Sequence, residues 1–182
     1  FLKENEINKT ILLIPNLNYD QEIENGIKES KIKKLKKYFY DIEPTKLTKQ
    51  IEEITNYETR KQNLFDEITR LENSDDPNKE DKIKNLETRY TIGNVNFDAA
   101  IISDFDESLK SVITSLLYTD VSPKEKYFIT LNQWFDESLL TETAYQPIYY
   151  PSINKRNLEQ FEKKFAAEFN ENPNHLSLLS YD

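Results

Sequence analysis

Residues 96–117, NFDAAIISDFDESLKSVITSLL, contain the pattern that decides the fold. Residues 97–102 form a short apolar run, which the polar segment 103–106 interrupts. Residues 107–117 then repeat apolar side chains at spacings of three and four. This succession predicts a buried strand, a loop and an amphipathic helix. A strand covered on both faces is typical of a parallel sheet, so we expect an α/β fold.

The loop that follows this strand is the first candidate for a functional site. In open parallel sheets, ligands bind just beyond the carboxyl ends of the strands. The loop region also holds three acids, Asp104, Asp106 and Glu107. Their oxygens could bind a hard cation. Acids in the first turn of a helix also complement its dipole, which accounts for them more simply.

The segments around this stretch extend the α/β pattern. Residues 10–15 predict a strand, and Asp20 can cap a helix that begins at Gln21. Residues 32–40 predict a second strand, which gives a βαβ unit with a right-handed crossover. After the central stretch, residues 127–131 predict another strand.

The remaining segments of the second half alternate short and long elements. Residues 136–140 predict a turn or short helix, and residues 147–151 an extended segment. Two further helices are predicted at residues 155–171 and 175–182, the first from aromatic and aliphatic residues spaced three to four apart.

Residues 45–92 predict a helical insertion in this layout. Apolar residues recur at threes and fours through residues 45–72, with charged or amide residues between them, which is typical of a long amphipathic helix. Asp76 as N-cap and Pro77 as first helical residue predict the start of a second helix. We interpret 45–92 as a helical hairpin that Gly93 ends. It is either a solvated extension or a ridge that recruits a partner.

The composition excludes several classes of function. The net charge of −9 argues against a nucleic-acid partner, because phosphate binding needs clustered Lys and Arg. The absence of Cys excludes disulfides and thiolate metal sites. Two isolated glycines cannot build a phosphate-binding loop. The single histidine, His175, follows Asn-Pro-Asn at a predicted helix start, where a capping or surface role is a simpler interpretation than a triad or a zinc site. We expect no cofactor, no enzyme activity and no membrane span.

Trp134 is the only tryptophan and follows the end of a predicted strand. Asn132 and Gln133 lie beside it, and an aromatic face with convergent amides suits a small polar ligand. A tryptophan that seals the edge of the core is the alternative interpretation.

Several stretches together resemble a known family. Residues 97–105, FDAAIISDF, resemble the strand and loop of type 1 periplasmic binding proteins, the leucine-binding-protein group. Residues 129–139, ITLNQWFDESL, resemble a later strand and turn of that family, and residues 161–182 resemble the helices that follow. The Trp-Phe-Asp-Glu-Ser-Leu version at 134–139, together with the helical insertion, is more similar to the penicillin-binding-protein activator branch.

The resemblance implies a three-layer lobe with a parallel sheet, one of two lobes that enclose a ligand cleft. Residues 1–150 would form this lobe, and residues 151–182 would cross toward a first lobe absent from this chain. The implied function is a solute-binding or sensor domain for a small polar, amino-acid-like ligand, of the kind that serves ABC transporters. The alternative is an envelope lipoprotein domain that activates a peptidoglycan synthase through protein contacts. Either function implies a periplasmic location, with lipid anchoring through an upstream segment as an open option.

The predicted ligand contacts all follow predicted strands at one edge of the sheet. They are Asn18, Tyr19, Ser103, Asp104, Phe105, Asn132, Gln133 and Trp134. Three positions depart from the pattern of amino-acid binders. Tyr19 precedes an aspartate rather than a glycine, Phe105 lacks a hydroxyl, and Asn132 lacks the charge of the acid that binds the ligand's ammonium group.

Overall fold

The computed structural model describes residues 1–17, 20–29, 32, 34–130, 138–151 and 155–173. The chain divides into two compact units, Phe1–Tyr150 and Pro151–Asp182.

The first unit contains a five-stranded sheet in which every strand is parallel to its neighbours. The strands are β1 (Thr10–Pro15), β2 (Leu35–Tyr40), β3 (Ala99–Ile102), β4 (Tyr127–Thr130) and β5 (Ile148–Tyr149). Their order across the sheet is β2-β1-β3-β4-β5, so β1 lies between β2 and β3. This arrangement confirms the predicted α/β fold with a parallel sheet.

Helices flank the sheet and extend from it. They are α1 (Asp20–Glu29), α2 (Pro44–Thr55), α3 (Tyr57–Glu72), α4 (Lys79–Leu86), α5 (Asp106–Tyr118), α6 (Ser138–Thr141) and, in the second unit, α7 (Lys155–Phe169). None of the helices in the described ranges is long and apolar enough to cross a membrane.

The two faces of the sheet bury two separate apolar clusters, because successive strand residues point to opposite faces. On one face, Leu13 and Ile102 join residues of α2 and α5 in the larger cluster, including Leu47 and Leu109. On the other face lies a smaller cluster, which contains Leu12, Ile14, Ile101 and Ile27 of α1. The chain therefore builds three layers, as the resemblance implied.

The second unit is described through α7 and the residues that end it. Helix α7 begins at Lys155, as predicted, and successive aromatic rings along it lie close to one another in tilted pairs. The ring centroids of Phe161 and Phe165 are 5.6 Å apart, and those of Phe165 and Phe169 are 4.6 Å apart. Asn170 has a φ of 53°, which ends the helix before the predicted residue 171. The helix predicted at 175–182 lies outside the described residues.

The predicted long helix of residues 45–72 is wrong at its centre. Asn56 adopts the left-handed conformation, with φ 52°, and separates α2 from α3. Its backbone N–H caps α2 by donating to the carbonyls of Glu52 and Glu53. Asparagine is one of the few residues that tolerates this conformation, so a single residue divides an otherwise continuous apolar pattern.

The predicted extent of the helical hairpin is also corrected. Helix α2 packs against α5 and β2, and its Leu47 and Ile51 are buried in the larger core cluster. It is therefore a layer of the sheet domain rather than part of an extension. The hairpin consists of α3 and α4, which pack against each other.

Three predicted starts of elements lie too early in the chain. Strand β3 begins at Ala99 rather than at residue 97. Strand β2 begins at Leu35 rather than at residue 32, and Lys34 before it has a φ of 51°, which is incompatible with extended backbone. Helix α4 begins at Lys79 rather than at Pro77. The Asp76 carboxylate accepts a hydrogen bond from the Asn78 backbone at 2.9 Å, so it forms an Asx turn instead of a cap.

Candidate functional site

The carboxyl edge of the sheet contains a point where the strand order reverses. The chain passes from β1 to β2 on one side, and then to β3 on the other side of β1. In doubly wound sheets the crevice at such a point is the usual place for a ligand. Residues 103–106 follow β3 directly, and Asn16 and Leu17 follow β1. The fold therefore places the predicted loop at the reversal point.

Ser103 and Asp104 are buried, with 6% and 2% of their surfaces exposed. The Ser103 backbone N–H and hydroxyl both donate to the Leu13 carbonyl, at 3.0 and 2.7 Å. The Asp104 carboxylate accepts hydrogen bonds from the hydroxyl of Tyr40 and from the backbone N–H of Phe105, the latter at 2.9 Å. These bonds join the carboxyl ends of β1, β2 and β3 to one another.

Phe105 and Asp106 have a different environment from the two residues before them. The Phe105 side chain is 41% exposed. Its position is the N-cap of α5, where it makes no side-chain capping bond. Asp106 has a φ of 52° and, with Glu107, places two acids in the first turn. An aromatic surface thus lies beside helix-terminal amides, which favour acceptor groups, and beside carboxylates, which favour donor or cationic groups.

The carboxylate of Glu107 already has a partner within its own helix. Its carboxylate forms an ion pair with Lys110 at 2.7 Å, and its side chain is 83% exposed. Within the described ranges, no group of three His, Cys, Asp or Glu side chains is placed to hold a metal ion. Asp106 and Glu107 lie in the first turn of α5, where the helix-dipole interpretation places them.

The start of α2 also lies at this edge, directly after β2. The Glu43 carboxylate caps the helix by accepting hydrogen bonds from the backbone N–H groups of Thr45 and Lys46, both at 3.1 Å. These two bonds lower the pKa of Glu43 below its ordinary value. The Asp41 carboxylate accepts from the Glu43 backbone at 2.9 Å and from the Lys46 ammonium at 3.0 Å, which lowers its pKa too.

The structure brings three of the eight predicted contact residues together at the end of β3: Ser103, Asp104 and Phe105. The other five, Asn18, Tyr19, Asn132, Gln133 and Trp134, lie outside the described residues.

Sequence reasoning missed the role of Tyr40. This residue is fully buried at the end of β2 and donates to Asp104, 64 positions along the chain. Tyr40 is the last residue of a predicted strand, which could have indicated a place at the carboxyl edge. The sequence pattern did not indicate that Asp104 is its partner.

The fold of this chain is similar to that of a solved structure. The chain is similar to an extracellular ligand-binding receptor from Verminephrobacter eiseniae, with a TM-score of 0.53 and 9% sequence identity. The chain has the fold of a ligand-binding receptor. The similarity covers 95% of this chain and 42% of the receptor, so this chain spans less than half of the receptor's length.

The other two comparisons are negative: no protein-family model and no curated protein matches the chain. The similarity supports the broader part of the resemblance at the level of the fold. The penicillin-binding-protein activator branch has no support from the comparisons.

Proposed function

We propose that this chain is a non-enzymatic solute-binding or sensor domain that contacts a small polar ligand at the carboxyl edge of its sheet. The observation that carries the proposal is the reversal of strand order between β1 and β3, with residues 103–106 at that point. The fold shared with a ligand-binding receptor supports it. The same likeness supports an extracytoplasmic location.

The contact surface would consist of Phe105 and the first turn of α5. The exposed ring can cover an apolar part of the ligand, and the backbone N–H groups of the helix terminus can donate to a carboxylate. The carboxylate of Asp106 can accept from an ammonium group. A zwitterion of the amino-acid kind satisfies both polar requirements, which is why we propose this ligand class.

Ser103 and Asp104 would act on the ligand only indirectly. Their hydrogen bonds to Leu13 and Tyr40 hold the loop in place. A preorganised loop reduces the entropy that is lost when a ligand binds. In a complete two-lobed protein, the ligand would stabilise a closed state over an open one.

The proposal is tested by titrating the isotope-labelled chain with the standard L-amino acids and following backbone amide shifts by NMR. We expect at least one amino acid to shift the amides of residues 103–108 and of Asn16. In Phe105→Ala, the dissociation constant for that amino acid should rise about tenfold, because the variant removes the exposed aromatic surface. Phe65→Ala is the matched control, since Phe65 is 65% exposed on α3, away from this edge.

Two results would contradict the proposal. One is the absence of shifts at this edge with every amino acid at concentrations up to about 10 mM, the upper range for a weak single-lobe contact. The other is equal binding by Phe105→Ala and the parent chain.

The alternative, a domain that acts through protein contacts, has one specific observation in its favour. Phe65 and Tyr90 in the helical insertion are 65% and 74% exposed. Deleting residues 47–90 is unsuitable as a test, because Leu47 and Ile51 belong to the core. The Phe65→Ala variant serves instead: it should retain solute binding under our proposal, and it should lose a protein partner under the alternative.

A further inference from the structure

A cavity of about 520 Å³ lies at the amino edge of the sheet, opposite the edge described above. Its walls come from the residues that lead into β1, β2 and β3, from β2 itself as far as Phe39, from the first two residues of β1, and from the C-terminal half of α2. The volume is within the usual range for sites that hold small molecules, about 300–1,000 Å³. No part of the resemblance or of the proposed function uses this cavity.

The charge of the cavity is opposite to that of the chain. Lys9, Lys34 and Lys36 line it, against the single carboxylate of Glu53, whereas the whole chain carries a net charge of −9. The C-terminus of α2 adds a partial negative charge of about half a unit. The balance at the cavity therefore remains positive, which attracts anions locally.

The three lysines are also not engaged in ion pairs with the carboxylates that the structure describes. Lys37, Lys46 and Lys110, elsewhere in the unit, each pair with an acid at 2.6–3.0 Å. At the cavity, the Lys9 ammonium instead donates to the side-chain oxygen of Asn96 at 2.7 Å. The Lys36 ammonium lies 4.7 Å from the ring centroid of Tyr38. Neutral partners hold two of the cations at the cavity and leave their charge uncompensated.

The inner wall of the cavity is apolar. Ile11 and Phe97 belong to the larger core cluster, and the partly buried Ile54 and Tyr38 pack against that cluster. A ligand in this cavity would meet a hydrophobic surface on its inner side and ammonium groups at the rim. Such a combination is complementary to a molecule with an apolar body and one anionic group.

We propose that this cavity is a second binding site, specific for small organic anions with an apolar body, such as aromatic carboxylates. The anion is held at the rim by Lys34 and Lys36, with Lys9 and Asn96 nearby, and the apolar body packs on the partly buried side chains of Ile54 and Tyr38. The site is separate from the carboxyl edge, so its occupancy does not depend on the solute proposed there.

The test uses phenylacetate as the probe and phenylacetamide as its neutral analogue, each titrated into the labelled chain by NMR. Phenylacetate should shift the backbone amides of Thr10, Ile11 and Asn96 at millimolar concentrations. Phenylacetamide should bind at least about tenfold more weakly, because it lacks the charge that the lysines recognise.

The double variant Lys34→Gln and Lys36→Gln should weaken phenylacetate binding about tenfold as well. The matched control is the double variant Lys84→Gln and Lys124→Gln, which removes the same total charge from exposed positions that do not line the cavity and should bind as the parent does. Lys9→Gln provides an independent variant at the same cavity, with a smaller expected loss.

The proposal is overturned if phenylacetate does not shift these three amides at up to about 10 mM. It is equally overturned if phenylacetamide shifts them as strongly, or if both double variants weaken binding to the same extent. The last result would show a general effect of net charge rather than a site.

Discussion

Asp104 in the loop after β3 and Arg60 in the helical insertion are the two charged side chains buried in the described part of the chain, with 2% and 6% exposed. Both are satisfied by partners that are distant in sequence, but the two environments differ. Asp104 joins the end of β3 to the end of β2, whereas Arg60 joins the insertion to connections that lead into β3 and β4.

The bonds of Arg60 show what holds the insertion in place. Its guanidinium donates to the carbonyls of Gly93, Thr119 and Asp120 at 3.1, 2.9 and 3.1 Å, and to the Thr91 hydroxyl at 2.8 Å. Burial lowers the pKa of Arg60, and the nearby Asp120 carboxylate opposes that effect. The guanidinium nevertheless stays charged at neutral pH, as arginine does in proteins.

The comparison teaches that a buried charge in this protein marks a joint between segments. Replacing an ion that neutral groups surround removes many hydrogen bonds at once, while replacing a single neutral donor removes one. The expected effects of mutation can therefore be ordered from the insertion joint to the sheet edge.

The largest effect is expected for Arg60→Met, which keeps an apolar stem but leaves four acceptors without their donor. We expect a loss of about 3 kcal/mol in the free energy of unfolding, because each buried group left unsatisfied is costly. Urea unfolding followed by circular dichroism measures it. Arg70→Met, which removes only an exposed ion pair with Glu67, should cost less than about 1 kcal/mol. Equal losses in the two variants would show that the Arg60 joint does not hold the insertion.

A smaller effect is expected for Tyr40→Phe, which removes the hydroxyl that donates to Asp104. The buried carboxylate then loses one donor, so we expect a loss of about 1–2 kcal/mol in the free energy of unfolding. Tyr38→Phe is the control, because it removes a hydroxyl from a half-buried residue of the same strand and should be nearly neutral. A neutral result for Tyr40→Phe would mean that the strand ends are held without this bond.

The smallest effect concerns Glu43, the exposed carboxylate that caps α2 at the carboxyl edge. Its pKa in the folded chain is lowered from 4.5 by the hydrogen bonds from Thr45 and Lys46. A lowered folded pKa stabilises the fold above the unfolded value, and this contribution is lost as the pH falls through the folded pKa. Glu43→Gln should therefore reduce stability at neutral pH and make the difference between neutral and acidic pH smaller.

The urea midpoint at neutral pH and at about pH 3 measures this difference for Glu43→Gln and for the exposed control Glu87→Gln. The control should follow the parent chain at both pH values. If Glu43→Gln also follows the parent, the cap does not contribute to the acid dependence of stability.

The sequence predicted the strands and α5 because their signals are local. Residues 99–102 are apolar without interruption, and α5 repeats apolar residues on one face, so each element follows from the pattern within it. The edge of the sheet at which residues 103–105 lie followed as well, since parallel strands end at the same side of a sheet.

The insertion was harder to predict because Asn56, the residue that separates α2 from α3, does not interrupt the apolar spacing of the sequence. Asn56 lies between two helices whose apolar residues continue the same spacing. Its left-handed conformation is seen only in the folded chain. Likewise, Leu47 and Leu64 have the same type and the same helical spacing, but only Leu47 packs in the core of the sheet domain. Periodicity identifies a buried face without identifying what covers it.

The sequence by itself determined the class of fold, the positions of most strands and helices, and the loop after β3 as the candidate site. Only the tertiary structure decided that Asp104 is bonded to Tyr40, that Arg60 joins the insertion to the sheet domain, and that lysines from two segments line one cavity. The physical reason is the range of the interactions. Backbone conformation and amphipathic spacing are set by near neighbours, whereas a buried hydrogen bond depends on which distant segments the fold brings within about 3 Å.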